Sequence, residues 1–393
     1  MINEVMYGLG SAPSAIRELF AYGLARKDQI GEENVFDFSI GNPSVPAPAK
    51  VADTIRALAD VPPAQLHAYS EAAGRAQTRT AIAESLNRRY NTSYTADNLY
   101  LTMGAAACLS ACFTCVIEPG DEVIVIAPYF PEYRVWIEAA GGTCVEVLAR
   151  EEDFQIDIAA LEAAITERTK AVVINSPNNP VGVVYTAQTL RALADLLDEE
   201  QRRRGEDIYL ISDEPYRELV YDGMEVPWVP SFYDNTLVCY SWSKSLSMPG
   251  DRIGYVLVPD EVNDARRVYL GVCGAGRSLG YICAPVFFQR IIEECVDEPV
   301  NTRAYAENRS LLTSLLDDLG YEYIAPDGAF YLWMKALEPD AKAFSDKAKQ
   351  HELLLVPSDS FGVKGWVRIG YCVSADVIRG SADAFAALKR EYE

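Results

Sequence analysis

The sequence predicts an α/β protein in which a large domain with a mostly parallel sheet is joined to a smaller α+β domain. At 393 residues the chain is too long for one ordinary hydrophobic core. Short apolar runs alternate with helical patterns between residues 98 and 258, which is typical of parallel strands joined by crossover helices. We therefore predict a large domain over 46–285 and a small domain over 286–393, with residues 1–45 packed against the small one.

The N-terminal part of the chain is predicted to be mainly helical. Residues 14–25 have the spacing of an amphipathic helix. A short β-type run then ends in the Gly-Asn-Pro turn at 41–43, and a helix at 49–58 stops before two prolines. A loop that contains Tyr69 leads into a long helix that ends near Tyr90.

Seven apolar runs predict a seven-stranded sheet in the large domain, with helices on both of its faces. The strands are predicted at 99–102, 122–127, 143–147, 171–175, 209–213, 236–241 and 253–258. The helices between them are predicted at 105–116, 131–140, 158–164 and 187–203. Ligands of such sheets bind beyond the carboxyl ends of the strands, so the loops that follow the strands should carry the functional residues.

The pattern changes near residue 285, where longer helical stretches precede shorter apolar runs. The helices are predicted at 284–297 and 301–319, the strands at 329–335, 353–356 and 367–371, and a last helix from about 375 to 391. This mixture predicts the α+β character of the small domain.

Composition argues against several classes of protein. The net charge of -22 argues against nucleic-acid binding, because such binding needs Lys and Arg to neutralise phosphates. No apolar run approaches the roughly 20 residues that a membrane helix needs, and the N-terminus lacks the pattern of a signal peptide. We therefore expect a cytoplasmic protein that does not bind membranes.

The cysteines and histidines argue against disulfides and metals. The chain has nine cysteines, an odd number, which argues against a disulfide framework, and with only two histidines we expect no metal site.

The stretch SWSKSLSMPGDRIGY at 241–255 carries the strongest chemical signal. Lys244 follows a predicted buried strand, where loss of water favours a deprotonated amine that can attack an aldehyde and hold it as an imine. Ser241 and Arg252 offer the hydrogen bonds that a phosphate prefers. An aldehyde that carries its own phosphate is pyridoxal 5′-phosphate (PLP). Taken alone, the same stretch is more typical of a surface Ser-Lys turn whose arginine pairs with a nearby acid, because serines, glycines and basic residues are common in loops.

The loops after the other predicted strands contain residues that suit the same cofactor. The turn at Ala105 and Ala106 opens a helix, and helix N-termini bind phosphate through N–H groups that lack partners. Asp213, at the end of a buried strand, needs a partner such as the protonated nitrogen of a pyridine ring. The side chain of Asn179 is expected to point outward from the edge of the sheet. Tyr216 could reach the phenolic oxygen of the same ring.

Aromatic residues in PYFPEY at 128–133 follow another strand and could cover the face of the ring. Each of these features has a plainer explanation by itself, such as a tight turn, an Asn-Pro turn or core packing. Five independent strand ends offer groups for one cofactor, however. A common site explains them together better than five separate coincidences.

These motifs resemble those of the class I and II aminotransferases, a family of PLP-dependent enzymes of fold type I. The resemblance extends from SIGNP at 39–43 to VRIGY at 367–371, and its most specific parts are NSPNNPVG, SDEPY and SWSKSLSMPGDRIGY. It implies a large α/β/α domain with a mostly parallel seven-stranded sheet and a smaller α+β domain. It also implies an aminotransferase that moves an amino group from an L-amino acid to a 2-oxo acid through an aldimine on a lysine.

The resemblance implies a role for each matching residue. Lys244 forms the aldimine with PLP and then moves a proton between the substrate and the cofactor. Asp213 pairs with the pyridine nitrogen, and Phe130 stacks on the ring. Asn179 and Tyr216 contact the ring hydroxyl. The phosphate is held by Ser241, Arg252 and the backbone of Ala105 and Ala106.

Further residues are implied to bind the substrate or to connect two subunits. Arg368, in VRIGY, clamps the α-carboxylate of the substrate, with Gly41 and Asn179 nearby. Tyr69 reaches the phosphate in the neighbouring subunit, which implies a homodimer with shared active sites.

Some points stay open at the level of the sequence. Many members of the family carry a polar side chain in the phosphate turn, where this chain has alanines at 105–107. The cofactor residues do not distinguish an aminotransferase from a PLP-dependent C–S β-lyase or another reaction of the same fold type. A transcription regulator with an aminotransferase-like domain would carry an N-terminal DNA-binding domain, whereas the resemblance begins within the first 40 residues.

Arg277 is a candidate for substrate selectivity. It is the only charged residue in GVCGAGRSLGYICAP at 271–285, where the family often forms one side of the substrate pocket. Inside that pocket its guanidinium would pair with the distal carboxylate of aspartate or glutamate. Alternatively, Arg277 pairs with an acidic surface residue, the pocket is formed by apolar groups such as Tyr281 and Phe130, and neutral amino acids react as well as aspartate.

Overall fold

The computed structural model describes residues 2–11 and 14–393, and this part of the chain divides into two compact units. The large unit consists of Val45–Thr302 and Asp327–Ala329. The small unit consists of the described residues up to Ser44, together with Arg303–Pro326 and Phe330–Glu393. None of the helices in the described ranges is long and apolar enough to cross a membrane.

Helices and strands alternate along most of the chain, as predicted. The helices are α1 (Glu4–Ser11), α2 (Ala15–Ile30), α3 (Ala49–Leu58), α4 (Pro63–Leu66), α5 (Ala76–Tyr90), α6 (Ala105–Val116), α7 (Glu132–Ala139), α8 (Ile158–Ala164), α9 (Ala187–Arg204), α10 (Trp242–Ser245), α11 (Ala265–Ser278), α12 (Val286–Cys295), α13 (Thr302–Asp318), α14 (Ala341–Ala348), α15 (Ala375–Gly380) and α16 (Ala382–Arg390). The strands are β1 (Phe36–Asp37), β2 (Leu99–Thr102), β3 (Glu122–Ala127), β4 (Thr143–Leu148), β5 (Thr169–Asn175), β6 (Tyr209–Asp213), β7 (Thr236–Ser241), β8 (Gly254–Leu257), β9 (Tyr323–Ile324), β10 (Tyr331–Lys335), β11 (Leu353–Leu354), β12 (Val356–Pro357) and β13 (Trp366–Gly370).

Seven strands form one sheet in the large unit, which confirms the predicted architecture. Their order is β2-β8-β7-β6-β5-β3-β4, and every neighbouring pair is parallel except the two pairs that include β8. Alternate side chains of β3 and β5, among them Ile124 and Val172, pack in one core with residues of α8 and α9. Helix α6 contacts β6, β7 and β8 and packs against α11. With helices on the sheet faces, the carboxyl edge of the parallel strands is the place for a ligand.

The small unit contains two sheets. An antiparallel sheet has the order β12-β13-β10-β9, while β1 pairs with β11 in a separate parallel pair. The predicted strand at 353–356 is therefore two short strands, because the chain passes from one sheet to the other at Leu355.

The predicted helix at 375–391 is divided at Ser381, a buried residue whose hydroxyl donates to the Ile378 carbonyl oxygen (2.7 Å). Helix α1 was not predicted, because it has no buried face to produce apolar periodicity.

The division by contacts differs from the predicted domain boundary after residue 285. Helix α12 packs on α3 and α5, so residues 286–302 belong to the large unit. Asp327 and Gly328 join the same unit through backbone hydrogen bonds to the Gly182 carbonyl oxygen (2.9 and 2.8 Å). The periodicity of apolar residues shows which face of a helix is buried, but not which of the two units that face packs against.

Candidate active site

Residues at three neighbouring strand ends meet at the carboxyl edge of the large sheet. Strand β5 ends at Asn175, β6 at Asp213 and β7 at Ser241. Asn175 lies beside Asp213 in the register of the sheet, and Asp213 lies beside Cys239. Parallel pairing therefore brings together the strand ends that the sequence marks as functional.

Asp213 stands at this edge with a carboxyl that is only 5% exposed. The Tyr133 hydroxyl donates to its Oδ2 (2.5 Å), whereas its Oδ1 is buried without a hydrogen-bond partner among the described residues. Burial raises the pKa of Asp213 to about 7; the hydrogen bond from Tyr133 opposes this rise, and the charge of Glu214 adds to it. A buried acceptor without a partner is costly, so Oδ1 is a candidate to receive a donor from a ligand.

Asn175 was not predicted as a site residue, yet it positions two residues that were. Its Nδ2 donates to the Asp213 carbonyl oxygen (2.8 Å), and its Oδ1 accepts the backbone N–H of Asn179 (2.7 Å). Asn179 is itself buried in the turn after β5. Asn175 therefore connects the end of β5 both to β6 and to this turn. A polar residue at the end of an apolar run was the available signal, the same one that marks Asp213.

Lys244 lies in α10, the single helical turn that follows β7. Its side chain is half-buried, and its Nζ lies 6.0 Å from the centre of the Tyr216 ring. Ser241 is buried, and its hydroxyl donates to that of Ser243 (3.1 Å). The structure thus brings the predicted lysine close to the predicted phenol.

A buried ion network supports the turn that carries Lys244. Arg217 pairs with Glu214 (2.9 Å), and its guanidinium lies 4.3 Å from the centre of the Tyr240 ring. The Tyr240 hydroxyl shares a hydrogen bond with that of Ser245 (2.8 Å), the residue after Lys244. The network therefore connects the segment after Asp213 to the lysine turn and fixes the two relative to each other.

The amino end of α6 forms a cradle for an anion. Gly104 is the residue before the helix, it has a φ of +85°, and no described side chain caps this helix end. A Cβ at Gly104 would lie 2.7 Å from Arg252 Nη2, so glycine is what lets the guanidinium approach this closely. Arg252 has a left-handed backbone (φ +52°), and its Nη1 donates to the Pro249 carbonyl oxygen (2.8 Å). The first N–H groups of the helix, at Ala105 and Ala106, and this guanidinium are groups that bind phosphate well.

The two remaining predicted cofactor residues differ in burial. Phe130 is half-buried between β3 and α7, and Tyr133 contacts it edge to face with ring centres 5.8 Å apart. Tyr69 lies in the loop between α4 and α5 and is 88% exposed. A tyrosine this exposed contributes no packing to the core of its own unit.

The small unit brings together Gly41 and Arg368, the predicted substrate-binding pair. Arg368 is buried in β13, its Nη2 donates to the Ser39 carbonyl oxygen (2.8 Å), and its guanidinium lies 4.4 Å from the centre of the Tyr331 ring. A Cβ at Gly41 would lie 1.7 Å from the Tyr331 hydroxyl oxygen, so this packing requires glycine. The stacked and hydrogen-bonded guanidinium is held in one plane, which suits bidentate binding of a carboxylate.

The groups at the edge of the large sheet are complementary to one kind of ligand. They include a carboxyl with a buried acceptor atom, an amine, an amide, a phenol and an anion cradle. Together they fit a heteroaromatic ring that bears a protonated nitrogen, a hydroxyl group and a phosphate.

Known proteins resemble this chain over nearly all of its length. The sequence profile of the family described as aminotransferase class I and II matches residues 33–385. The aspartate/prephenate aminotransferase of Thermus thermophilus is 34% identical over 329 residues, which are 81% of this chain and 82% of that protein. A crystal structure of an aminotransferase from Eubacterium rectale is 55% identical and covers 100% of this chain and 99% of its own, with a TM-score of 0.98.

A second solved structure, aspartate aminotransferase from Thermus thermophilus with maleate, covers 99% of each chain at 30% identity and a TM-score of 0.87. These similarities confirm the predicted fold type I architecture and the predicted aminotransferase activity. They also decide between transamination and the C–S β-lyase alternative, because each of these relatives is named an aminotransferase. The chain belongs to the class I and II aminotransferase family.

Proposed function

We propose that this aminotransferase uses PLP bound covalently through Lys244, and that its preferred amino donor is a dicarboxylic amino acid such as aspartate. The observation that carries the cofactor proposal is the buried Oδ1 of Asp213, which has no hydrogen-bond partner in the described part of the chain. The protonated pyridine nitrogen of PLP would supply the missing donor.

The other groups of PLP fit residues at the same edge. The ring hydroxyl would meet Asn179 and Tyr216, and Phe130 would cover one face of the ring. When bound, PLP supplies an electron sink that makes the Cα–H of an attached amino acid acidic. The phosphate would be held by Ser241, Arg252 and the N–H groups of Ala105 and Ala106.

The residues of this chain bind the substrate and move its proton. Lys244 Nζ accepts the proton from the substrate Cα as a general base and later donates a proton as a general acid. Arg368, Gly41 and Asn179 would bind the substrate, and the guanidinium of Arg368 would take its α-carboxylate through two parallel hydrogen bonds. A substrate whose α-carboxylate is bound in this way keeps it, which favours transamination over decarboxylation.

A coupled assay tests this proposal directly. Purified protein supplied with PLP, aspartate and 2-oxoglutarate should produce oxaloacetate and glutamate. A panel of other amino acids with the same acceptor shows whether acidic donors are preferred. Failure to form a 2-oxo acid from any amino acid in the panel would contradict the proposal.

Acidic substrates are proposed from the relatives and from one arginine. The relative from Thermus thermophilus is named for aspartate and prephenate, and the solved structure from that organism contains maleate, a dicarboxylate. In this chain Arg277 lies in the last turn of α11, and its side chain is exposed within the large unit. An exposed guanidinium is available to a distal carboxylate without first breaking a buried ion pair.

We expect Arg277→Leu to lower kcat/KM for aspartate and glutamate by about 10- to 100-fold, the factor that a hydrogen-bonded charge is worth. The values for alanine and phenylalanine should stay the same, because they lack the distal carboxylate. Arg266→Leu, at an exposed arginine of the same helix, is the control. Equal changes for all four substrates would leave Arg277 with a structural role only.

A homodimer with shared sites is part of the proposal. Tyr69 is 88% exposed, and Leu270 and Ile282 in the same unit are 53% and 59% exposed. Large exposed aromatic and apolar side chains are typical of an interface. A partner subunit would cover them and place its Tyr69 near the phosphate of this chain.

Mixing two inactive variants tests the shared site. Lys244→Ala and Tyr69→Ala each damage a different half of the site, so a hybrid dimer contains one site in which both residues are native. We expect activity to reappear on mixing and to approach a quarter of the wild-type value at most, since about half of randomly exchanged dimers are hybrids with one intact site. Verified subunit exchange without recovered activity would place Tyr69 in its own chain's site or in none.

The phosphate cradle gives a further test. Gly104→Ala should weaken PLP binding by about tenfold or more, because its methyl group displaces Arg252 from the helix end and removes a charge-assisted hydrogen bond. Gly120→Ala is the matched control, since Gly120 also has a positive φ (+99°) but has no neighbour within 4 Å of its Cβ position. Both variants should lose stability through backbone strain. Equal PLP affinity in the two variants would contradict the cradle.

We also propose a cytoplasmic location. All nine cysteines are free thiols, as is usual for proteins of a reducing compartment.

A further inference from the structure

Tyr133 lies behind the candidate site, in α7, and touches the carboxyl that would face the cofactor. Its side chain is 2% exposed, and its hydroxyl donates to Asp213 Oδ2 over 2.5 Å. Burial and the charge of Asp213 raise the pKa of Tyr133 above its usual value, so the hydroxyl keeps its proton and acts as the donor. The sequence predicted only that an aromatic residue of this segment covers the face of a ring.

Because of this contact, the two carboxylate oxygens of Asp213 have different roles. Oδ2 is occupied by Tyr133, and Oδ1 is buried without a partner in the described ranges. A carboxylate fixed through one oxygen cannot rotate freely about its Cβ–Cγ bond, so the other oxygen keeps a defined direction. The backbone of Asp213 is fixed as well, because its carbonyl oxygen accepts the hydrogen bond from Asn175.

The same contact favours the charged form of Asp213. Burial disfavours a carboxylate, and the charge of Glu214 adds to this effect, while the hydrogen bond from Tyr133 opposes both. A carboxylate can accept the proton of a pyridinium N–H, whereas a neutral acid would compete with the ring nitrogen for one proton. Loss of the tyrosine hydroxyl should therefore leave the ring nitrogen less often protonated.

We propose that Tyr133 is a positioning residue that orients Asp213 and holds it as a carboxylate toward the ring nitrogen of the cofactor. This role rests on the proposed function, because it presupposes that PLP occupies the site. Tyr133 itself does not reach the reacting atoms and acts through Asp213.

Tyr133→Phe removes one hydroxyl and leaves the ring in place. Tyr129→Phe is a matched control, because Tyr129 is also buried (4% exposed), stacks on Tyr133 with ring centres 6.4 Å apart, and donates instead to Glu146 (2.6 Å). Tyr133→Met supplies a second variant without a hydroxyl if the Phe variant does not fold. Urea unfolding of each cofactor-free variant measures its stability.

Two readouts do not depend on turnover. The first is the affinity of the cofactor-free protein for PLP, which should fall about tenfold or more in Tyr133→Phe and stay unchanged in Tyr129→Phe. The second is the ¹⁵N chemical shift of the ring nitrogen in protein reconstituted with ¹⁵N-labelled PLP. It should move toward the value of a neutral pyridine in Tyr133→Phe only.

A double-variant cycle separates positioning from general structural support. In an Asp213→Asn background, Tyr133→Phe should cause little further loss of PLP affinity, because the residue through which Tyr133 acts is already gone. An unchanged nitrogen shift in Tyr133→Phe, or fully additive losses in the double variant, would overturn the role of Tyr133 alone. If the wild-type protein bound no PLP at Lys244, the proposed function itself would be overturned, and this role with it.

Discussion

Replacing Lys244 with alanine is expected to lower kcat for transamination by about 10²–10⁴-fold, the contribution of a positioned acid–base group, or to abolish activity altogether. Lys244 is the amine at the carboxyl end of β7, half-buried and 6.0 Å from the Tyr216 ring. Its amine can act both as the nucleophile that binds an aldehyde and as the base that moves a proton. The variant should also lack the visible absorbance that covalently held PLP gives to the wild-type protein.

The assignment can be tested without measuring turnover. Borohydride reduction of the wild-type protein with PLP should fix the cofactor to the peptide that contains Lys244, as identified by mass spectrometry. Lys50→Ala, at an exposed lysine of α3 in the same unit, is the control and should behave like the wild type. Cofactor fixed to a different lysine, or undiminished kcat in Lys244→Ala, would show that the catalytic amine lies elsewhere.

The sequence predicted those site residues that stand at strand ends. Asp213 and Lys244 each follow an apolar run, and parallel strands bring their carboxyl ends to one edge whatever the details of packing. A carboxyl group and a lysine amine beside buried strands were then enough to predict that both residues belong to a functional site. The same reasoning extended to Asn179 and Arg252 because turns and helix ends have local signatures.

Residues that act through contacts across space were not predicted. Tyr133 meets Asp213 because α7 packs with one particular rotation beside the sheet, and nothing in PYFPEY indicates which aromatic residue carries a hydrogen bond. The role of Arg217 depends on its stacking over Tyr240, far away in sequence. The assignment of α12 to the large unit is of the same kind, since its apolar face would fit either unit.

Replacing Asp213 with asparagine has the second largest expected effect. We expect kcat to fall by about 10²–10³-fold, in line with the loss of a buried charge pair. An amide cannot balance the charge of a pyridinium, so the ring becomes a weaker electron sink and PLP binds less tightly. Glu122→Gln is the control, because it removes a buried carboxylate at the opposite end of the sheet, where β3 begins. Near-normal turnover in Asp213→Asn would show that the carboxylate is structural.

The cofactor-free protein allows a separate test of the same group through the pH dependence of its stability. Burial, the largest cause, raises the pKa of Asp213 from 3.8 to about 7, so the folded protein binds this proton more tightly than the unfolded chain does. Its contribution to the free energy of unfolding therefore falls as the pH rises through that window. The Asp213→Asn variant lacks the titrating carboxyl, so its free energy of unfolding does not fall in this way. Its stability relative to wild type should therefore increase between about pH 4 and pH 8.

Glu122 is a useful comparison, because its contribution to stability changes with pH in the opposite direction. Its pKa is lowered, chiefly by the hydrogen bond from Thr166, so its contribution to stability is present above its usual pKa and is lost as the pH falls. Glu122→Gln should therefore lose stability relative to wild type as the pH rises to the usual pKa of Glu122, 4.5, and should show no further change above it, where Asp213→Asn continues to gain stability. Urea unfolding of the three cofactor-free proteins from acidic pH to about pH 8 measures both changes. Parallel curves for wild type and Asp213→Asn would mean that Asp213 is already ionised before any cofactor binds, and that Oδ1 has found a donor within the protein.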